Sequence, residues 1–261
     1  RNIKGILVVR RSMSSKEENH INVLVTGASS GIGLAIAQKL LQRDKFRVFG
    51  CARRQERLQD IQSEFGERFI PYLCDVKEET QILQMFEDIA AKYDGVHVLI
   101  NNAGLGHKTS LIDGNTSYWR EMLEVNVLAL SICTREALSH MRQNGDDGYI
   151  IHVSSMSAHR VPSNSGMYSA TKFAVRSLTE GLRQELRQIG SNIRVSSISP
   201  GFVETEFAQK YHKSKEIAEQ VYRQYFVLQP EDIAEQILFM IESPKHVQIH
   251  DVLLRPTGQI S

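Results

Sequence analysis

From residue 21 onward, short apolar runs alternate with longer segments in which apolar residues recur every three or four positions. The short runs are residues 21–26, 46–51, 69–75, 97–101, 149–154, 193–199 and 249–254, and the longer segments are residues 32–42, 55–65, 78–93, 117–142, 168–188 and 231–242. Most of the short runs are apolar throughout, which is typical of strands that are buried on both faces. The alternation predicts an α/β fold: a single Rossmann-type domain with a doubly wound, parallel, seven-stranded sheet and helices on both faces.

The limits of the domain follow from the same alternation. We expect residues 21–261 to form the domain and residues 1–20 to be an N-terminal extension that is flexible or partly foreign. Met13 looks like a translation start, so residues 1–12 are either foreign or, being basic without any acidic residue, the remnant of a targeting peptide. The alternation breaks at residues 202–229, where a helical patch lies between irregular ends, and we interpret this stretch as an insertion or lid.

The charge balance and the cysteines indicate what kind of ligand the protein binds and where it is located. The chain has 31 Lys and Arg against 30 Asp and Glu, so its charge favours a small-molecule ligand over nucleic acid or an anionic membrane. No apolar run approaches the roughly 18–20 residues of a membrane span. Cys51, Cys74 and Cys133 lie among apolar residues without metal-ligand spacing, which predicts reduced core thiols, no metal site and a cytoplasmic location. An organelle reached through residues 1–12 is the alternative location.

A glycine-rich turn follows the first predicted strand and leads directly into a helix. Gly27, Gly31 and Gly33 let the backbone approach a phosphate closely, and the free N–H groups at the start of the helix favour an anion. The first two glycines are further apart than in the common G-x-G-x-x-G pattern. A turn without a ligand is the alternative, and the position after the first strand favours a nucleotide.

Two arginines end the second predicted strand. Arg53 and Arg54 stand about twenty residues after the last glycine, where an NAD site places an acidic residue for the ribose hydroxyls. Because a guanidinium group suits a phosphate, this position predicts the 2′-phosphate of NADP rather than NAD. The alternative is a pair of solvated charges at a helix start.

Tyr168 and Lys172 stand four residues apart at the start of a predicted helix, so their side chains share one face of it. A cation beside a phenol favours the phenolate and lowers the tyrosine pKa from about 10. Such pairs are usually surface pairs with the lysine stem over the ring. Ser155 ends the fifth strand, and Asn126, between two valines, is expected to be buried with hydrogen-bond partners. A crevice that gathers Ser155, Tyr168 and Lys172 favours catalysis.

Together with the Asn101-Asn102-Ala103-Gly104 turn and Ser199-Pro200-Gly201, these motifs resemble the short-chain dehydrogenase/reductase family from about residue 20 to the end. Residues 126–136, 180–186 and 255–257 are similar to the group of farnesol dehydrogenases and dehydrogenase/reductase member 11. The resemblance implies an NADP-dependent alcohol dehydrogenase or carbonyl reductase with NADP(H) as its cofactor. The implied cofactor-binding residues are Gly27, Ser29, Ser30, Gly31, Ile32, Gly33, Arg53, Arg54, Asp75, Val76, Asn102, Ala103, Gly104, Tyr168, Lys172, Pro200, Gly201, Val203 and Thr205.

The resemblance also implies a catalytic unit of Asn126, Ser155, Tyr168 and Lys172. Tyr168 gives a proton to the carbonyl oxygen during reduction and takes one during oxidation, while the nicotinamide carries the hydride. Lys172 lowers the Tyr168 pKa and binds the nicotinamide ribose, Ser155 polarises the carbonyl, and Asn126 anchors a relay water.

The implied substrate is a hydrophobic alcohol, such as an isoprenoid or a steroid, or its ketone or aldehyde. Five aromatic residues of the insertion are candidates for an apolar pocket, although such residues are more often core: Phe202, Phe207, Tyr222, Tyr225 and Phe226. The resemblance also implies a homodimer or homotetramer, because the helices at residues 117–142 and 168–188 correspond to the usual dimer surface of the family. The rival interpretation is a dinucleotide-binding sensor or scaffold without turnover, against which the intact catalytic residues argue.

Overall fold

The computed structural model describes residues 20–223 and 225–259. Residues 1–19 lie outside the described residues, and with them almost all of the predicted N-terminal extension and the whole candidate targeting segment. The described chain forms a seven-stranded sheet with helices on both faces, which confirms the predicted fold class.

The seven strands are β1 (Ile21–Thr26), β2 (Phe46–Ala52), β3 (Phe69–Leu73), β4 (Val98–Asn101), β5 (Tyr149–Val153), β6 (Arg194–Pro200) and β7 (Asp251–Leu254). All neighbours pair in parallel, in the order β3-β2-β1-β4-β5-β6-β7. The chain moves outward from β1 to β3 and then returns to the other side of β1 with β4. In open α/β sheets, a ligand crevice forms outside the carboxyl ends of the strands at such a reversal.

The helices are α1 (Gly31–Leu41), α2 (Gln55–Phe65), α3 (Glu79–Tyr93), α4 (Thr116–Leu123), α5 (Leu130–Gln143), α6 (Gly166–Gln188), α7 (Glu206–His212), α8 (Lys215–Arg223) and α9 (Pro230–Glu242). Pro230 occupies the first position of α9, where its missing N–H would have no partner within the helix. Short 3₁₀ turns cover Gly66–Arg68 and Met156–Ala158.

The two faces of the sheet carry separate apolar cores because side chains alternate along each strand. Val23 and Val25 of β1 are fully buried in the cluster covered by α1, α2 and α9. Leu24, which stands between them, is buried in the cluster covered by α3, α5 and α6. A doubly wound arrangement buries both faces of the sheet, and it therefore requires strands that are apolar at every position.

The stretch predicted as one helix over residues 117–142 is helical throughout but is not a regular α-helix. A π-helical turn, Glu124–Ala129, separates α4 from α5. Asn126 lies in this turn and is only 1% exposed. Single π turns inside α-helices occur frequently at functional sites.

The insertion predicted at residues 202–229 contains α7 and α8, of which only α8 was foreseen as a helical patch. Its two ends are joined at the base, since Val203 pairs with Leu228 in an isolated parallel bridge. The Leu228 N–H donates to the Phe202 carbonyl over 3.0 Å, and the Glu204 N–H donates to the Leu228 carbonyl over 2.9 Å. The insertion is therefore a loop that starts and ends at the carboxyl edge of β6.

The cysteines Cys51, Cys74 and Cys133 are free and buried, which confirms that they are core thiols. Across the described part of the chain, no helix combines the length and the apolar character needed to cross a membrane.

Candidate active site

A cavity of about 890 Å³ lies at the carboxyl edge of the sheet, at the reversal between β1 and β4. We call the part formed by lining residues within 27–32, 51–54, 74–76 and 102–104 the glycine half. The part formed by lining residues within 105–108, 160–165 and 202–212 is the loop half. Ser155, Tyr168 and Lys172 also line the cavity, and they gather the predicted catalytic side chains in one space.

The glycine turn is shaped by backbone geometry that side chains would disturb. Gly27 and Gly31 have φ values of +72° and +54°, a conformation that glycine adopts readily. A Cβ atom at Gly33 would lie 2.4 Å from the Gly27 carbonyl oxygen and 2.5 Å from Asn102 Nδ2. Ser30 precedes α1 without any side-chain hydrogen bond to its first turn among the described residues, which leaves those N–H groups available to an anion.

Asn102 fixes the turn after β4 against the glycine turn. Its Nδ2 donates to the carbonyl oxygens of Thr26 and Gly27 over 2.9 and 3.3 Å. The Thr26 hydroxyl in turn accepts the backbone N–H groups of Asn102 and Ala103 over 3.0 and 2.9 Å. The two turns of the glycine half are thus joined by four hydrogen bonds, which fix their relative position.

Both predicted arginines reach the cavity, but they differ in their partners. Arg53 is largely exposed and forms a 3.8 Å ion pair with Asp75. Arg54 reaches across the glycine turn, where its Nε and Nη2 donate to the hydroxyls of Ser29 and Ser30 over 3.2 and 2.5 Å. Both side chains thus reach the cavity at the end of β2, and their binding of a 2′-phosphate stays a prediction.

Glu206, the first residue of α7, connects the insertion to these arginines. Its carboxylate accepts hydrogen bonds from Arg54 over 2.8 Å, from Arg57 over 2.6 Å and from Lys210 over 3.1 Å. Burial disfavours its charge, but the hydrogen bonds from Arg57, Arg54 and Lys210 outweigh that effect and lower the pKa of Glu206 to about 2. An anionic Glu206 thus forms an ionic contact across the mouth of the glycine half.

Ser155, Tyr168 and Lys172 are held by elements that end at the same edge. Ser155 follows β5 and caps the Met156–Ala158 turn, where its Oγ accepts the Ser157 N–H over 3.1 Å. Tyr168 and Lys172 lie on the first turns of α6 and are 9% and 6% exposed. Lys172 Nζ donates to the Val153 carbonyl over 3.0 Å and lies 5.9 Å from the centre of the Tyr168 ring. The pair is buried, which excludes the surface-pair interpretation.

Burial dominates the protonation of both side chains. It raises the pKa of Tyr168 above its usual value, and the hydroxyl of Ser155 offsets only part of that rise. Burial also lowers the pKa of Lys172 to about 8. The predicted net lowering of the Tyr168 pKa is wrong, because the loss of solvation at the phenol outweighs the lowering by the Ser155 hydroxyl. The phenol is therefore protonated at neutral pH.

Asn126 is buried and hydrogen-bonded, as expected for an amide inside an apolar helix. Its Oδ1 accepts the Leu105 N–H over 2.9 Å, and its Nδ2 donates to the Leu105 carbonyl over 2.8 Å and to Thr171 Oγ1 over 3.0 Å. Both side-chain N–H groups are thus in use. The amide joins the chain after Gly104 to α6, next to Lys172.

The structure places nearly all predicted site residues on the cavity wall. Of the predicted set, only Gly33 and Asn126 do not line it, and each lies behind a wall residue that it contacts. Among the predicted aromatic residues, Phe202, Phe207 and Tyr222 line the cavity. Tyr225 instead packs behind Phe202 at a ring distance of 6.5 Å, and Phe226 is 87% exposed.

Several residues that line the loop half were not predicted from the sequence. Tyr211 lines the cavity and lies 6.0 Å from the Tyr168 ring and 5.8 Å from the Phe207 ring. Arg160 and Glu206 also line it. The periodicity of α7 was the available signal for Tyr211, since it stands four residues after Phe207 on the same helical face.

The chain is similar to proteins of one known family. Residues 21–216 match the family model described as short chain dehydrogenase. Dehydrogenase/reductase SDR family member 11 of Bos taurus is 49% identical over 247 residues, which cover 91% of this chain and 96% of that protein. Farnesol dehydrogenase of Aedes aegypti is 38% identical over 244 residues, which cover 90% of this chain and 96% of that protein.

The fold also matches a solved structure. The closed form of serine dehydrogenase complexed with NADP⁺ superimposes with a TM-score of 0.87 at 32% sequence identity. The match covers 91% of this chain and 96% of that one.

Proposed function

The chain belongs to the short-chain dehydrogenase family, and we propose that this oxidoreductase interconverts a hydrophobic alcohol and its ketone or aldehyde with NADP(H). The proposal rests on one observation: Ser155, Tyr168 and Lys172 line a single cavity between a glycine turn and an aromatic wall. The rings of Phe207 and Tyr211 stack beside Tyr168, which favours an apolar compound such as an isoprenoid or a steroid. The name of the similar farnesol dehydrogenase agrees with that class.

The glycine half fits the cofactor that the similar serine dehydrogenase contains. The Gly33 position has no room for a Cβ, and the first turn of α1 presents free N–H groups, so the pyrophosphate would lie against this turn. Arg53 and Arg54 stand at the end of β2, where they would bind the 2′-phosphate of NADP(H). NADP(H) supplies the hydride for reduction and accepts it in oxidation.

Tyr168 is the proposed proton donor to the carbonyl oxygen. The phenol is protonated at neutral pH, as an unperturbed tyrosine also is, so the reduction starts from the correct form of the group. Ser155 is placed to orient the carbonyl, because its Oγ accepts the Ser157 N–H and its own O–H, which interacts with Tyr168 in the absence of a substrate, can turn to a carbonyl oxygen beside the phenol. Both hydroxyls can then donate to one oxygen atom.

Lys172 and Asn126 are proposed to hold and resupply protons behind Tyr168. Lys172 Nζ uses one N–H for the Val153 carbonyl and keeps two for the ribose hydroxyls of the cofactor. The Asn126 side chain has no N–H left for a relay water, so the backbone carbonyl of its π turn is the proposed acceptor. Asn126 would thus position Gly104, Leu105 and α6 in addition to anchoring the water.

Association through the long helices stays a prediction. Leu123 and Leu128 are 43% and 56% exposed, and Phe173 and Leu178 of α6 are 40% and 39% exposed. Large apolar side chains on two neighbouring helical segments support a homodimer or homotetramer that would cover them.

The experiment that tests the proposal replaces Tyr168→Phe and compares it with Tyr211→Phe. The first variant loses the donor hydroxyl and keeps the ring, so turnover is expected to fall by about 10²–10⁴-fold. Tyr211→Phe removes a neighbouring hydroxyl in the same cavity, and its turnover is expected to stay within a few fold of the wild type. NADPH oxidation is measured with isoprenoid, steroid and dicarbonyl substrates, and NADPH binding is measured by fluorescence.

The outcomes separate the proposal from its rival. Retention of most of the activity in Tyr168→Phe would remove Tyr168 as the proton donor. If the wild-type protein binds NADPH tightly and consumes none with any carbonyl compound of the panel, the sensor or scaffold interpretation replaces the enzyme.

A further inference from the structure

In the loop half, Arg160 carries a positive charge that has no acidic partner among the described residues. It lies in the loop between Ser155 and Tyr168, lines the same cavity as both, and is only partly exposed. Its Nε is buried without a hydrogen-bond partner among the described residues, and within them no carboxylate lies within 4.0 Å of its guanidinium. A buried N–H donor without a partner is costly, so a ligand that accepts a hydrogen bond from Nε and pairs with the charge gains affinity.

The acidic residues of the cavity cannot neutralise Arg160, because each is already paired. Asp75 pairs with Arg53, Glu121 with Lys77 over 3.8 Å and with the His107 ring over 2.8 Å, and Glu206 with three basic side chains. Lys108, a second cation on the wall, also has no acidic partner in the described part of the chain. The loop half therefore has an excess of positive charge that faces the cavity.

Arg160 lies beside the aromatic part of the wall. Its charge opposes the rise that burial causes in the pKa of Tyr225, and the Tyr225 ring packs behind Phe202. Phe202, Phe207 and Tyr211 line the same half. An apolar wall with one guanidinium next to it suits an amphipathic compound, with an apolar body and an anion at one end.

We propose that Arg160 binds a carboxylate of the substrate, at a position remote from the carbon that accepts the hydride. A carboxylate matches the guanidinium fork through two parallel hydrogen bonds. The phosphates of the cofactor are not the intended ligand, because the glycine turn, Arg53 and Arg54 lie in the other half of the cavity. The proposal rests on the proposed function and narrows its substrate to apolar carbonyl compounds that carry a carboxylate.

The test compares a long-chain ω-oxo carboxylic acid with its methyl ester, which has the same length and no charge. The wild-type enzyme is expected to show a kcat/KM for the acid at least about tenfold higher than for the ester. Arg160→Gln is expected to lower kcat/KM for the acid by about 10–100-fold, mainly through KM, and to leave the ester within about twofold. Arg160→Lys keeps the charge and should restore part of the preference.

Two controls isolate the cavity charge. Arg176→Gln removes another arginine, one that donates to the Ala158 carbonyl of the same loop over 3.5 Å and does not line the cavity. It should change acid and ester equally. The Kd of NADPH should be the same in Arg160→Gln and wild type, and a long-chain saturated carboxylate, which cannot be reduced, should bind the NADPH complex of the wild type more tightly than that of Arg160→Gln.

Each result decides the proposal. Equal kcat/KM for acid and ester in the wild type, or an equal loss for both in Arg160→Gln, would overturn the carboxylate site while leaving the proposed function intact. Weaker NADPH binding in Arg160→Gln would overturn it by assigning the arginine to the cofactor. If no carbonyl compound is reduced at all, the proposed function fails, and this inference fails with it.

Discussion

The glycine half and the loop half of the cavity differ in what forms their walls, which is backbone in the first and side chains in the second. In the glycine half, short turns leave the strands directly, and hydrogen bonds from Asn102 and Thr26 join them through backbone groups. In the loop half, the wall consists of side chains on α7 and on the loop before α6, such as Tyr211 and Arg160. A wall made of backbone accepts one ligand shape, whereas a wall made of side chains can change its chemistry by substitution. The first suits a constant cofactor and the second a family-specific substrate.

The largest effect that tests this contrast comes from the closest backbone contact. Gly33→Ala places a Cβ against the Gly27 carbonyl and Asn102, so the turn must shift. We expect a loss of about 1–3 kcal/mol of stability from overpacking and a loss of NADPH affinity of at least about 100-fold. Chemical denaturation and fluorescence titration measure the two quantities.

Gly181→Ala is the matched control for that substitution. Gly181 lies inside α6, and apart from its chain neighbours and the backbone of its own helix no atom of the described residues lies within 4 Å of the position its Cβ would take. Alanine there is expected to stabilise the protein by about 0.5–1 kcal/mol and to leave NADPH binding unchanged. If Gly33→Ala kept the stability and the NADPH affinity of the wild type, the glycine half would be no stiffer than the loop half.

A second test examines whether the glycine half binds the 2′-phosphate of NADP. The double variant Arg53→Ala and Arg54→Ala removes both guanidinium groups at the end of β2. The KM for NADP should rise by about 10–100-fold, while the KM for NAD should change little, because only NADP carries the phosphate.

Arg57→Ala is a suitable comparison, because Arg57 also bonds Glu206 but does not line the cavity. Its effect on both cofactors should be small. An equal rise in both KM values for the double variant would contradict 2′-phosphate recognition and assign the arginines to the ionic contact with Glu206.

The smallest expected effect concerns Glu206, where the two halves touch. Its pKa of about 2 in the folded protein lies below the ordinary glutamate value of 4.5, so its ion pairs stabilise the protein above about pH 4.5. That contribution disappears as the pH falls toward 2. Because the side chain is 34% exposed, screening reduces the contribution to about 1 kcal/mol.

Glu206→Gln should therefore lower stability at pH 7 by about 1 kcal/mol, and the difference from the wild type should shrink between pH 4.5 and pH 2. NADPH should bind a few fold more tightly, since a negative charge beside the phosphate site is removed. Denaturation curves at several pH values check the first expectation. A difference in stability that is independent of pH would show that Glu206 acts by packing and not by charge.

The sequence predicted the two halves unequally, and the reason is the distance over which each is encoded. Gly27, Gly31 and the following helix are neighbours in the chain, so a local motif describes their geometry completely. Glu206 acquires its role from Arg54, which is 152 residues away. No local pattern in α7 points to that partner.

The same reasoning explains why the sequence could not separate pocket from core among the aromatic residues and why it predicted the wrong direction for the pKa of Tyr168. Phe202 and Tyr225 have similar apolar character, but one lines the cavity and the other packs behind it. The pairing of Tyr168 with Lys172 was readable from their spacing, whereas the degree of burial that controls the phenol depends on α7 folding over it. Burial by a distant segment is a tertiary property that a spacing argument does not contain.

The π turn at Glu124–Ala129 makes the site depend on the number of residues in the chain as well as on their identity. A π turn accommodates one residue more than an α turn, and each residue turns a helix by about 100°. Leu128 is 56% exposed, yet its deletion would convert the turn to α-helix and rotate Asn126 relative to α5, away from Leu105. Insertions and deletions, rather than substitutions, are thus the changes to which this part of the molecule is most sensitive.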